Sequence, residues 1–173
     1  MDDLLRTLSD WAAIADVMAL YCERVDEYDI DAVAALFTED CVTDYGPGRG
    51  GVVAGRAAVR ARIAAGQAQF RRTHHQLGQS RIEFDPDVPG RASGVSYVTA
   101  THEEWDGTFW RAHLRYLDEL RQTGQGWRLS ARRVHAAAIE GKPSITWNWV
   151  PRQLPTDPAM PAPDPDPDPD PRA

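Results

Sequence analysis

The sequence predicts an α+β fold in which three amino-terminal helices pack on a curved, mainly antiparallel sheet. Three observations predict it. Apolar residues in the first seventy or so positions recur at helical spacing, and those beyond them switch to a period of two. The alternating runs are joined by turn sequences, among them Asp106-Gly107. The chain has 173 residues, enough for one domain with a real core.

The elements come in this order. Residues 8–26 read as one long amphipathic helix, with Trp11, Ile14, Met18, Tyr21, Cys22 and Val25 on its inward face and capping oxygens at Thr7, Ser9 and Asp10. A short helix is expected over 29–37, with Asp29 as its N-cap. Residues 41–45 form a short strand, 46–51 a glycine-rich turn, and 52–54 the hairpin partner. A third helix is expected over 56–70, with Val59, Ile63, Gly66 or Gln67, and Phe70 on one face. Four long strands are expected over 73–84, 91–105, 108–121 and 126–139. The aromatic stretch 144–150 is expected to pack on the body. Residues 1–150 thus form the domain, and 151–173, with its Pro-Asp repeat, cannot build a core and reads as an extended, disordered tail.

The formal charge of −7 gives no electrostatic footprint for nucleic acid, and the arginines between 56 and 72 read as the solvated face of a helix. No run approaches the ~18 consecutive apolar residues of a membrane span, and no secretory signal is visible, so a cytoplasmic location is expected. Cys22 and Cys41 do not suggest a disulfide framework; Cys22 reads as a small apolar filler.

Chemistry concentrates at one acid and one imidazole. Asp26 continues the apolar stripe of the first helix through Met18 and Cys22, spaced four apart. A carboxylate aimed inward is costly unless paired. A histidine on the following sheet is a natural partner, and the two make a proton-transfer device. His74 and His75 are adjacent on a strand, so only one of them faces the same cavity as Asp26. Tyr21 and Tyr45 offer phenol donors for a substrate oxygen, with Asp44 as the alternative to Tyr45 because neighbours alternate. His102, His113 and His135 lie on three different strands, His113 sharing a face with Arg111 and Arg115 and His135 with Arg133; one of the three histidines is expected to line the pocket. No histidine pair has metal-ligand spacing, the 46–51 glycine run lacks the Lys-Ser/Thr of a phosphate loop, and no nucleophile elbow occurs. No metal and no cofactor are expected.

Two stretches carry a family resemblance. Ala13-Ile14-x-x-Val17-x-x-Leu20-Tyr21, continued by Val25-Asp26-Glu27-Tyr28-Asp29 and by Leu36-Phe37-x-x-Asp40, forms the opening. Thr73-His74-His75-Gln76-Leu77-Gly78 and the closing Tyr116-x-Asp118-Glu119-Leu120 with Gly126-Trp127-Arg128-Leu129 complete it. Over residues 9–141 the chain resembles the SnoaL-like branch of the nuclear transport factor 2-like superfamily, and within it dehydratase-type lyases such as scytalone dehydratase, bile-acid 7α-dehydratase and lindane dehydrochlorinase. The resemblance implies a cone-like α+β barrel. It places His75 rather than His74 opposite Asp26 and sets Tyr21 at a tyrosine position of the bile-acid enzyme. The Asp44-Tyr45 strand resembles one that carries a substrate-activating tyrosine. A family cation near the last strands is matched loosely by Arg121, Arg133 or His135. An acid of the bile-acid enzyme has no counterpart, because Thr99, Ala100 and Thr101 stand there.

The expected function is that of a cofactor-independent lyase of the dehydratase type. Asp26, His75 and Tyr21 are its catalytic candidates. Tyr45, Asp44, His113, Arg133 and His135 are candidates to bind a small hydrophobic substrate with a carbonyl. The same dyad would serve an isomerase or a polyketide-type cyclase, and a non-catalytic small-molecule binder is a further alternative. A homo-oligomer is expected from the apolar run Trp105, Phe109, Trp110, Leu114 and Tyr116, and the resemblance favours a trimer over a dimer.

Overall fold

The computed structural model describes residues 1–141 and 146–151. The elements are α1 (Asp2–Asp26), α2 (Ile30–Ala35), β1 (Phe37–Asp44), β2 (Val52–Ala54), α3 (Arg56–Gln67), β3 (Phe70–Phe84), β4 (Arg91–Glu104), β5 (Phe109–Thr123) and β6 (Gly126–Glu140), with a 3₁₀ turn at Pro47–Arg49 between β1 and β2. One mixed, unclosed sheet runs in the order β2-β1-β6-β5-β4-β3. The β1–β6 pair is parallel, and its other neighbouring pairs are antiparallel. The fold is the expected α+β cone, three helices on a six-stranded curved sheet.

Alternation builds its interior. Trp110, Ala112, Leu114, Tyr116 and Leu120 of β5 are buried while their neighbours face outward. Ile14, Met18, Tyr21, Cys22 and Val25 of α1 pack against this inner face. The helix comes very close to β4: a Cβ added to Gly94 would meet the Met18 methyl at 2.2 Å, so a side chain there would push the Met18 tip aside. Asp29 caps α2 as expected, accepting from the Ala32 N–H at 3.1 Å.

Several boundaries move. The first helix starts at Asp2, so Thr7 and Ser9 lie inside it; the Thr7 hydroxyl donates back to the Asp3 carbonyl, and Asp10 accepts from the Trp127 indole N–H at 2.8 Å instead of capping. The inward stripe begins only at Ile14. Trp11 is 47 % exposed, and Leu4, Leu5 and Leu8 are exposed with it. Phe70 starts β3 rather than ending α3. The apolar run near the β4–β5 turn also divides differently: Trp110, Leu114 and Tyr116 point into the core, leaving Trp105 and Phe109 exposed at the hairpin end. The outer face of β5 carries Arg111, His113, Arg115 and Glu119 instead. Beyond β6, Trp147 is buried and Trp149 is bridged to Ala136 but exposed, so the aromatic segment packs in part. The Pro-Asp tail lies outside the described residues.

Candidate active site

Asp26 is the last residue of α1, and α1 lies across β3. The chain reverses immediately afterwards through Tyr28, whose φ of 57° is left-handed, so the Asp26 carboxylate stays pointed at the sheet. There it accepts three hydrogen bonds. Oδ2 accepts from the His75 backbone N–H at 2.7 Å; Oδ1 accepts from the Thr73 hydroxyl at 2.8 Å and lies 2.6 Å from His75 Nδ1. Burial pushes the Asp26 carboxyl up, but the hydrogen bonds and charge of His75, with the bond from Thr73, outweigh it and hold the group below the usual carboxylate range. An ionised carboxylate only accepts, so Nδ1 must carry the ring proton and Nε2 is left as the basic nitrogen. The His75 side chain is 5 % exposed. His74 points the other way, 75 % exposed, with Nδ1 at 3.8 Å from Oδ2.

Beside the dyad lies an aromatic wall. The His75 ring meets the His102 ring edge-on at 5.8 Å, and His102 stacks on Trp110 at 3.8 Å with 10° between planes. Phe70 closes against both, 4.5 Å from His102 and 5.7 Å from Trp110. Of the three histidines left open by the sequence, His102 is the one that faces inward.

Deeper in the cone is a cluster that sequence reasoning missed. Arg132 of β6 is fully buried and forms a two-pronged pair with Asp118 of β5, Nε to Oδ1 and NH2 to Oδ2, both at 2.7 Å. Its guanidinium packs against the rings of Tyr21 at 4.0 Å and Tyr116 at 4.3 Å, which meet each other edge-on. Burial works against the charge, but the Asp118 carboxylate more than offsets it and holds the guanidinium above its ordinary range. Among the described residues the third nitrogen, NH1, has no hydrogen-bond partner, nor does the hydroxyl of Thr43, its register neighbour on β1. Tyr21 and Tyr45 are both buried, and burial, with the adjacent Tyr21, pushes the Tyr45 phenol well up; burial does the same to Tyr116. The buried Tyr45 hydroxyl and the Arg132 NH1 are thus donors without a partner among the described residues.

Four predicted binding residues do not reach this interior. His113 faces outward, with Nε2 at 2.6 Å from Glu140, and Arg133 is exposed, 3.5 Å from Glu119. His135 pairs across to Arg115 on the same outer face. The reason is parity: Arg132, Val134 and Ala136 point inward, so Arg133 and His135 must point out. Asp44 also faces away from Tyr45 and closes the following turn, accepting from Gly46 N–H at 2.9 Å and Asn148 Nδ2 at 3.0 Å. Arg121, also weighed as the family cation, pairs with Asp40 at the rim.

A cavity of about 310 Å³ opens at the mouth of the cone, lined by Arg49, Arg62, Gln69, Phe70 and Trp110 among others. Neither Asp26 nor His75 lines it: Phe70 and Trp110 of its wall pack on His102, whose ring in turn meets His75. A larger depression of about 1210 Å³ lies on the outer face of the sheet, among Asp40, Arg91, Glu119, Arg121 and Arg133. Its charges pair with one another, and it is on the wrong side of the sheet for Asp26 and His75. Among the described residues no group of three His, Cys, Asp or Glu side chains is placed to hold a metal ion, and no helix is long and apolar enough to cross a membrane.

Among known proteins, the family model for the SnoaL-like domain matches residues 6–133. A solved structure from Novosphingobium aromaticivorans, provisionally named a scytalone dehydratase, is 24 % identical, covers 89 % of this chain and 100 % of its own, and superposes with a TM-score of 0.79. A second protein from that organism, provisionally named an aromatic ring hydroxylase, is 30 % identical, with 78 % and 94 % covered and a TM-score of 0.71. LinA is 20 % identical, with 88 % and 100 % covered and a TM-score of 0.72; a type 2 form, similar at 17 % identity, is named a hexachlorocyclohexane dehydrochlorinase. No curated protein sequence matches the chain.

Proposed function

The chain belongs to the SnoaL-like domain family, and from that premise we propose that it is a cofactor-independent lyase of the dehydratase type. One observation carries the reading: a half-buried carboxylate accepts from Nδ1 of a buried imidazole and so leaves Nε2 as a base. In the proposed reaction Nε2 of His75 removes a proton from the carbon next to a substrate carbonyl. The electron pair moves onto the carbonyl oxygen, which the Tyr21 and Tyr45 phenols and the free Arg132 N–H receive. Collapse of that enolate expels hydroxide from the neighbouring carbon, and the His75 imidazolium returns its proton to it, so water leaves and the base is restored. Asp26 balances the imidazolium charge while it exists. The dehydratase and dehydrochlorinase names of structurally similar proteins support elimination as the outcome. An isomerase or cyclase would use the same proton abstraction and differ only in the fate of the enolate.

A second reading, a small-molecule binder without turnover, is favoured by the Phe70–Trp110–His102 wall between the mouth cavity and the dyad. One experiment separates the two. The purified protein is incubated with a panel of hydroxy-ketones in D₂O; deuterium uptake next to the carbonyl is followed by NMR and enone formation by ultraviolet absorbance. The lyase reading expects both signals with the wild type, a loss of about 10²- to 10⁴-fold in His75→Ala, and retention in His74→Ala. Exchange without enone indicates the isomerase or cyclase outcome. Saturable binding with no exchange sinks the enzymatic reading. We further assign the protein to the cytoplasm and to a homo-oligomer, with a trimer favoured.

A further inference from the structure

The cavity at the mouth of the cone is lined by two arginines and, among the described residues, by no acid. Arg49 ends the 3₁₀ turn after β1 and lays its guanidinium 5.1 Å from the Trp147 ring and 5.9 Å from the Trp110 ring. Arg62 reaches over the same opening from α3; its Nε donates to the Arg49 carbonyl oxygen at 2.5 Å, and its guanidinium sits 5.2 Å from the Tyr45 ring. Their neighbours behave differently. Arg56 and Arg60, on the same helix as Arg62, pair with Glu39 and Asp31. Among the described residues Arg49 and Arg62 have no carboxylate partner: burial, and after it the like charge of Arg62, lowers the affinity of the Arg49 guanidinium for its proton.

Two glycines lie against the Arg62 side chain: a Cβ at Gly50 would meet its Nε at 2.7 Å and one at Gly66 its NH1 at 2.5 Å, so a larger residue at either place would shift the guanidinium. Two cations lining one half-open cavity repel one another, and the arrangement is stabilised once an anion enters between them. Guanidinium forks match a planar carboxylate in shape as well as charge. Phe70 and Trp110 give the cavity an aromatic wall, and Ala65, Gln69 and glycines complete it. The cavity, at about 310 Å³, sits at the lower end of the roughly 300–1,000 Å³ range of ligand pockets, so its occupant is small.

We propose that the mouth is a binding subsite for a small aromatic carboxylate, its carboxylate held between Arg49 and Arg62 and its ring against Phe70 and Trp110. The subsite stands on its own geometry. Where it serves the dyad it rests on the lyase reading above, and it then identifies the substrate as a carboxylated one, anchored by its acid group two side chains from His75.

The test uses the full-length protein and benzoate as the probe, with benzamide as its neutral isostere. Trp110 and Trp147 both stack near Arg49, so intrinsic tryptophan fluorescence and the indole N–H signals report occupancy. Benzoate is expected to bind saturably and at least about tenfold more tightly than benzamide, with the difference shrinking in high salt. Arg49→Gln and Arg62→Gln are each expected to lose that preference while binding benzamide as before. His75→Ala is expected to keep it, so a failed dyad and a failed subsite read out separately. Equal affinity of benzoate and benzamide for the wild type overturns the proposal without reference to any variant, as does a preference that survives both arginine substitutions.

Discussion

Asp26→Asn is the most informative single change, because the geometry dictates how the amide must turn. The carboxylate accepts from three donors, and an amide oxygen can replace only one carboxylate oxygen. If the new NH₂ faces the His75 backbone N–H, two donors meet and neither can yield. If it faces His75 Nδ1, the ring can yield by moving its proton to Nε2, and the Thr73 hydroxyl can rotate to accept. The second arrangement wins, so the variant holds His75 in the tautomer whose Nε2 is a donor. The basic nitrogen that faces the substrate is thereby turned into a hydrogen-bond donor with no change of shape. The expected loss of proton-abstraction rate is about 10²- to 10⁴-fold. Removal of a charged acceptor from a buried backbone N–H costs about 1.5–3 kcal/mol of stability. The tautomer is read directly, without a substrate, from long-range ¹⁵N–¹H correlation spectra of histidine-labelled protein, and the stability from urea denaturation. A variant that keeps the proton on Nδ1, or a wild type that carries it on Nε2, refutes the claim that Asp26 prepares the base.

Other parts of the structure make further outcomes testable. His75 and Thr73 hold the Asp26 carboxyl below its unfolded value, so its stabilising contribution is complete above the ordinary carboxylate range and is lost as pH falls through the depressed native value. The stability gap between wild type and Asp26→Asn should therefore be level from neutrality to about pH 5 and close below about pH 4; a gap that widens on acidification reverses the sign and refutes it. Asp118→Asn leaves a fully buried guanidinium without its anion and should cost about 3–5 kcal/mol in urea denaturation, whereas Asp118→Leu with Arg132→Met should recover most of that; a single-variant loss under about 1 kcal/mol would show that the pair is relaxed or hydrated. Leu4, Leu8 and Trp11 form an exposed stripe at helical spacing on α1, so Leu8→Asp should shift a homo-oligomer toward monomer in light scattering; a wild type that is already monomeric removes the basis for that expectation.

The layers of the fold were legible because each rests on a local rule. Helical spacing from Ile14 to Val25 marked α1, and the Asp106-Gly107 turn marked the β4–β5 hairpin, where Gly107 adopts a φ of 88°. Boundaries were less legible where side chains had two uses. Thr7, Ser9 and Asp10 are good capping residues, yet the helix runs through them, because nothing in Asp2-Asp3-Leu4-Leu5-Arg6 breaks it and Asp10 is drawn to the Trp127 indole some 117 positions away in sequence. The Asp26–His75 approach was legible because a carboxylate on an apolar stripe demands a partner. Strand alternation alone left His74 and His75 open; the resemblance pointed to His75, which shares a face of β3 with Thr73.

The same logic would have found Arg132, and its omission is instructive. Asp118 shares parity with Trp110, Leu114, Tyr116 and Leu120, four large apolar side chains on one face of β5. An acid in that row is as anomalous as Asp26 is on α1, and in an antiparallel hairpin its cation must stand opposite it; the register partner is Arg132. The clue was masked by a register shift near Glu119 and Leu120, which moves the inward set of β6 from the odd positions Trp127 and Leu129 to the even positions Arg132, Val134 and Ala136. Carried forward without that bulge, the odd series lands on Arg133 and His135, the residues first assigned to the pocket. A single unpaired strand residue thus decided which arginine faces the tyrosines. The buried acid on the neighbouring strand is the stronger guide, because desolvation of an unpaired charge costs far more than a break in alternation.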